Sequence, residues 1–268
     1  MRQPLAYLAA LVIMQQAIIL VIPFYMGWGW VYPQTLYALA TGAFQVILWI
    51  SYLRALQQEE TSRIAALVYV FPFFVFLGSF LLLGESLQAD DYIGGALLIC
   101  SAVLISYQPR QQASSFLSPA LKHMAVFWFF TASYALASKY LLGFMTEWHL
   151  LLWSSLGSFL SMLPVFWHRE MRRECFSYLR GSAFLFLALF ANEILDLLGR
   201  GAFIFAYAQG SISLVSSLAA LQPFITLIYI ILLSRFFPGI LVEEMDGKTL
   251  AIKVAAVLLI VAGIYLIF

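Results

Sequence analysis

The sequence predicts an all-α fold, a polytopic membrane helix bundle of about nine spans built from two related repeats. Three observations predict it. The chain of 268 residues is 63% hydrophobic and 10% charged, with a mean hydropathy of +0.94; soluble domains average about 45–50% apolar and about 25% charged. Its apolar residues gather into stretches near the roughly 20 residues that a helix needs to cross a bilayer, where lipid offers backbone groups no partners. The second half also repeats the first. Leu53-Arg54-Ala55-Leu56 through Pro72 aligns without a gap on Ile204-Phe205-Ala206-Tyr207 through Pro223, an offset of 151 that sets Ser62 on Ser213, Ala65-Ala66 on Ser216-Ser217 and Phe73 on Phe224. Duplication of this kind is common in secondary transporters, whose sites lie between repeats.

The first expected span, residues 4–26, is too long for a secretory signal and lacks a small-residue cleavage site. It ends at Gly27-Trp28-Gly29-Trp30. The second, 35–53, stops at Arg54, and the third, 63–83, runs from Arg63 to the Gly84-Glu85 turn. The fourth, 91–108, follows Asp90-Asp91. The fifth and sixth, 121–144 and 147–167, precede a basic connection from Arg169 to Arg180. The seventh and eighth, 182–207 and 211–234, are separated by Gln209-Gly210, and the ninth, 250–268, follows an acidic connection holding Glu243, Glu244 and Asp246. No connection is long or polar enough to form a soluble domain.

Charge placement orients the spans. Eleven of the fourteen Lys and Arg fall at the N-terminus or on alternate connections: Arg2, Arg54, Arg63, Arg110, Lys122, Arg169, Arg172, Arg173, Arg180, Arg235 and Lys248. The intervening connections hold none. Basic loops stay cytoplasmic, which sets residue 1 inside and residue 268 outside. The arginines of 169–180 are read as ordinary orienting charges, with contact to anionic lipid as the alternative. Cys100, in an apolar span, and Cys175, in the basic connection, do not form a disulfide framework. A formal net charge of +1 argues against nucleic acid.

Several short segments resemble the signature of the EamA-type carriers of the drug/metabolite transporter superfamily. They are Tyr52-Leu53-Arg54-Ala55-Leu56, Ser62-Arg63, Ala65-Ala66-Leu67, Pro72, Leu83-Gly84-Glu85 and Gly94-Gly95-Ala96-Leu97-Leu98-Ile99, with a weaker second copy in Ala206, Ser213, Pro223 and Val261-Ala262-Gly263-Ile264. The resemblance implies ten helices in two inverted repeats that move small metabolites by alternating access, amino-acid export being a common activity. Against that scheme Met1 begins where a second helix is expected. The domains expected here are therefore a first repeat over 1–108 lacking its first helix, a connecting loop over 109–120 and a second repeat over 121–268. The second repeat replaces the Gly-Glu turn with a longer connection.

The strongest local signal is Ala191-Asn192-Glu193-Ile194-Leu195-Asp196-Leu197-Leu198-Gly199-Arg200, midway along an apolar span. At about 100° per residue, Arg200 lies about 20° from Glu193 and Asp196 about 60° from it, with Asn192 at the edge of that face. Charges at the bilayer centre cost about 2.5–3.5 kcal/mol each on insertion scales, so this face should turn to the bundle interior or a wet cavity. Asp196 and Arg200, four apart, can pair. Glu193 is then a surplus acid, expected to exchange a proton during a transport cycle or to pair with a cationic group on the cargo. A buried ion-pair network holding helices in register is the structural alternative.

The repeat offset sets Gln45 on Asp196 and Trp49 on Arg200, as a cavity bounded by both repeats requires. For Trp49 a place in the aromatic core is the competing reading. Lys139 either reaches inward or snorkels to the headgroups, and Tyr134, Ser138 and Tyr140 add hydrogen-bonding groups beside it. Pro72 and Pro223, at equivalent positions, are expected to kink their helices and act as hinges. Ser211, Ser213, Ser216 and Ser217 supply small residues for close packing, and Glu85 caps a helix. Lys253 is expected to snorkel.

His123, His149 and His168 show no metal-ligand spacing, and no phosphate-binding loop is present, so the sequence implies neither a metal nor another cofactor. The function expected is that of a secondary transporter of a small metabolite such as an amino acid, not an enzyme, in the cytoplasmic or inner membrane. Its partners are a small-molecule substrate, protons and the lipid bilayer, with a homodimer left open. Efflux of drug-like cations, an intramembrane enzyme acting on a lipid-linked substrate, and a non-transporting partner subunit are the alternatives.

Overall fold

The computed structural model describes residues 4–59, 64, 67–85, 88–106, 119–222, 225, 228–229 and 247–267. These are almost entirely helical, with no strand among them. Three helical segments, Pro4–Met26, Gln34–Leu56 and Glu147–Trp167, are long and apolar enough to cross a membrane, and a bent pair, Arg169–Leu179 with Ala183–Gln209, adds a fourth if it forms one span. Shorter apolar helices cover Phe71–Leu83, Ile212–Leu221 and Val254–Leu266. Ser62, Ala65-Ala66, Pro223, the acidic connection at 243–246 and most of the 109–120 loop lie outside the described residues.

Two compact units divide the chain, one of Met1–Arg54 with Phe129–Ile212 and one of Ala55–Trp128 with Ser213–Phe268. Each unit therefore takes residues from both halves of the sequence.

In the first unit, helix α1 (Pro4–Ile19) breaks at Leu20-Val21 and continues as α2 (Ile22–Met26), where Pro23 occupies the first turn and removes a backbone donor. Helix α3 (Gln34–Leu56) follows. Between them, Gly27 and Gly29 adopt positive φ, and a Cβ on Gly29 would strike the ring of His149. That approach seats the connection on the sixth expected span. Trp153 Nε1 donates to the Trp28 carbonyl at 3.0 Å, and Trp30 packs edge-on against Trp153. The exposed Trp28 and Trp30 suit the membrane–water interface, where amphipathic rings concentrate.

Helix α7 (Glu147–Met162), preceded by the Thr146 N-cap, crosses α3 at close range. Gly157 faces the carbonyl of Leu39, and Gly42 faces the backbone of Ser154 and Ser158, with no room for a Cβ at either glycine. Small residues at this crossing let the backbones touch, which stands in for the hydrophobic drive that lipid cannot supply. Gly157→Ala is expected to push α3 from α7 and destabilise the protein by about 1–3 kcal/mol. Thermal unfolding in detergent checks this; an unchanged midpoint would mean the crossing relaxes freely.

The basic connection is not a loop. Residues Arg169–Leu179 form helix α8, bent by 96° from α9 (Ala183–Gln209). Met171, Cys175, Tyr178 and Leu179 recur at helical spacing and pack on α1. Arg169, Arg172 and Arg173 stay exposed. Turn-forming residues are sparse there, and the apolar residues that mark the helix are too few to register as a span. Cys100 and Cys175 are both free thiols.

The second unit contains α4 (Phe71–Gly78), which runs into a π turn at Ser79–Leu83, together with α5 (Ala89–Ser106) and α11 (Gly247–Ile267). Gly263 brings α11 onto the Gly94 carbonyl and Leu98 of α5, and Tyr69, Leu98, Ala220 and Ile260 form the core beside that contact. Pro72 lies in the first turn of α4 after a break at Tyr69-Val70. The break leaves the Leu67 carbonyl to accept from Val70 N–H at 3.2 Å and from Trp128 Nε1 at 2.7 Å. Glu85 accepts from the Ser213 hydroxyl at 2.9 Å and from its N–H at 3.4 Å. It thus serves the first turn of α10 (Ile212–Leu218).

Candidate functional site

Helix α9 carries the charged face, with Glu193, Asp196 and Arg200 in its middle third. Glu193 is only 4% exposed. Arg200 Nε pairs with Asp196 Oδ2 at 2.8 Å, the side chains being 16% and 29% exposed respectively. From α3, Gln45 offers its Oε1 to Arg200 Nη1 at 3.1 Å and to Ser158 Oγ at 2.9 Å, filling both lone pairs of the amide oxygen. Ser158 Oγ also lies 3.1 Å from the Gly42 carbonyl, so the close crossing of α3 with α7 fixes Gln45. From α1, the Gln15 amide with its oxygen toward the guanidinium accepts from Arg200 Nη1 and from Ser155 Oγ, each at 2.8 Å.

A cavity of about 420 Å³ opens among these groups. Glu193, Asp196, Arg200, Asn192, Gln45 and Trp49 line it, joined by Gln15, Ser158, Tyr7 and Tyr52. Trp49 meets Tyr52 edge-on at 5.7 Å. The contact made by Glu193 is long, Asn192 Nδ2 donating to Oε1 at 3.4 Å. Among the described residues no ion pair forms at Glu193. An acid with an open acceptor side, beside a guanidinium already engaged by Asp196, Gln45 and Gln15, can receive a donor or a positive charge from a bound molecule.

Six sequence-predicted residues thus meet on one wall. Tyr134 does not line this cavity. Lys139 is also away from it. Its Nζ donates to the carbonyls of Tyr207 at 2.6 Å and Gly210 at 2.7 Å. Those carbonyls lie at the C-terminal end of α9, where a cation is favoured by the helix dipole. Lys139→Met is therefore expected to lower stability by about 1.5–3 kcal/mol, the scale of hydrogen bonds to a charged group. Substrate KM in a flux assay is expected to stay unchanged, and a KM raised severalfold would instead put Lys139 at the site.

Sequence reasoning missed Gln15, Ser158, Tyr7 and Tyr52. A signal existed for Gln15, because the Gln15-Gln16 pair interrupts a strongly apolar span. Both side chains are buried, and buried polar groups in a span call for partners inside the protein.

In comparisons with known proteins, residues 4–107 match the EamA-like transporter family of the drug/metabolite transporter superfamily. The matched segment carries α1 to α5. With the apolar helices, the EamA match supports a multi-pass membrane protein. A known crystal structure superimposes with a TM-score of 0.69 over 98% of this chain and 87% of its own, at 17% identity, a likeness of fold. No curated protein matches the chain.

Proposed function

We propose that this protein is a secondary transporter that moves a small metabolite, such as an amino acid, out of the cell by alternating access. The observation that carries the reading is the charged cavity of α9. A carboxyl group, an ion pair and three amides line a space of about 420 Å³ in an otherwise apolar unit. Ionisable residues at membrane depth are costly and concentrate on substrate or ion pathways. Pockets of roughly 300–1,000 Å³ suit small organic ligands.

In this reading nine spans form two inverted repeats in the cytoplasmic membrane, the first over 1–108 and the second over 121–268. Glu193 binds the cargo or a coupling proton, Arg200 and Asp196 hold the wall, and Asn192, Gln45 and Trp49 complete the contact surface. The helix break before Pro72 supplies a hinge, with Pro223 as its counterpart. A break whose free carbonyl is already held by Trp128 can alter its angle without leaving that group bare in lipid.

Counterflow tests the proposal. Proteoliposomes preloaded with an unlabelled metabolite pool should take up labelled solute saturably, and the accumulated label should collapse when the gradient is dissipated. Folded protein that exchanges no solute from a broad pool would overturn the carrier reading.

A further inference from the structure

We infer that the cargo is an organic ammonium cation, held at the carboxylate of Glu193 with its apolar part against Tyr7, Trp49 and Tyr52. The inference rests on the carrier reading and names the substrate class of the same cavity.

The groups of the wall differ in what they have left to give. Arg200 is the cation of the cavity wall, and all three of its nitrogens already face an acceptor or a counter-charge: Asp196 at Nε, Gln45 at Nη1, and Gln15 at both terminal nitrogens. An anionic cargo would have to share the guanidinium with Asp196 and the two amides already on it. Glu193 is in the opposite condition. It is 4% exposed, lines the cavity, and has the 3.4 Å contact from Asn192. With Asp196 cancelled by Arg200, the lining carries one negative charge in excess whenever Glu193 is ionised.

The remaining surface fits the same class. Tyr7, Trp49 and Tyr52 turn toward the cavity together. The faces of aromatic rings attract ammonium groups, Trp most strongly, and the attraction grows as water is removed. Each ring also offers apolar area to a hydrocarbon body. A carboxylate can accept N–H donors, and surrounding rings tolerate alkyl substituents on nitrogen. The complement is an amine that is cationic at neutral pH and bears an apolar or ring-containing part.

Matched probes test this on the intact protein in nanodiscs. Phenethylammonium, 3-phenylpropanoate and 3-phenylpropanamide have similar bodies and differ in the charge of the end group. Calorimetric titration of the wild type is expected to give the ammonium a Kd at least about tenfold below either of the others, a difference of about 1.4 kcal/mol. Glu193→Gln should weaken the ammonium by at least about tenfold and leave the amide unchanged. Glu193→Asp should retain part of the affinity, and Trp49→Ala should weaken the ammonium about three- to tenfold. Equal or tighter binding of the carboxylate, an ammonium affinity indifferent to Glu193→Gln in folded protein, or no binding of any probe up to about 10 mM would each overturn the inference.

The two readings fail separately. Counterflow of anionic solutes without ammonium binding removes the cation and keeps the carrier. Ammonium binding dependent on Glu193, without counterflow of any solute, keeps the cation site and removes the carrier.

Discussion

Glu193→Gln is expected to reduce counterflow at least about thirtyfold while the folded protein keeps or slightly gains thermal stability. The two effects follow from one geometry. Glu193 is buried, receives a long contact from Asn192, and forms no ion pair among the described residues. A buried carboxylate without a counter-charge weighs against the folded state, because desolvation of the charge is not repaid by a partner. Neutralising it with an amide of equal size therefore removes little that holds the helices together. Transport loses far more. Truncating one member of a desolvated charge contact costs about 2–5 kcal/mol, or roughly 30- to several-thousand-fold. The amide also cannot carry a proton across a cycle.

A carboxyl that served as a structural node would behave in the opposite way, with an earlier unfolding midpoint and flux reduced in proportion to the folded fraction. Counterflow and unfolding measured on the same preparation separate the cases. Wild-type flux in Glu193→Gln would remove Glu193 from the transport cycle.

Much of the site was legible because membranes make its signals costly. Asn192, Glu193, Asp196 and Arg200 stand out in an apolar run, and helical spacing places them on one face. The pairing of Asp196 with Arg200 follows from their four-residue separation. Gln45 and Trp49 came from the repeat offset, and the structure brings both to the wall bearing the α9 charges. Other contacts needed three dimensions. The meeting of α3 with α7 depends on Gly42 and Gly157, residues separated by more than a hundred positions and recognisable as partners only once the helices cross. Lys139 shows the same limit. Its neighbours in sequence say that a cation sits near a span end, but its acceptors, Tyr207 and Gly210, end a different helix. Helix α8 was missed for another reason: a short amphipathic helix rich in arginine looks like a solvated connection when only spans are sought.

Arg200→Met is the second large effect, and it is expected to act on stability first. The guanidinium donates to Gln45 and Gln15 and pairs by charge with Asp196. Its loss leaves a carboxylate without its counter-charge and two amide oxygens each short of a donor in a poorly hydrated wall. Breaking a buried ion pair by removing one partner costs about 3–5 kcal/mol. Asp196 is partly open to the cavity, so about 2–4 kcal/mol is the expected destabilisation, read as a lower unfolding midpoint in detergent. Removing both charges should recover much of it. In Arg200→Met with Asp196→Leu no bare carboxylate remains at that position, and apolar replacements of buried pairs are often neutral. Gln45 keeps its bond from Ser158, and Gln15 keeps Ser155. The double variant is therefore expected to unfold closer to wild type than Arg200→Met alone, with a coupling of about 0.5–3 kcal/mol from the double-mutant cycle. If the two substitutions add independently, the pair does not hold this wall, and the position of Glu193 must be set by the α3–α7 crossing instead.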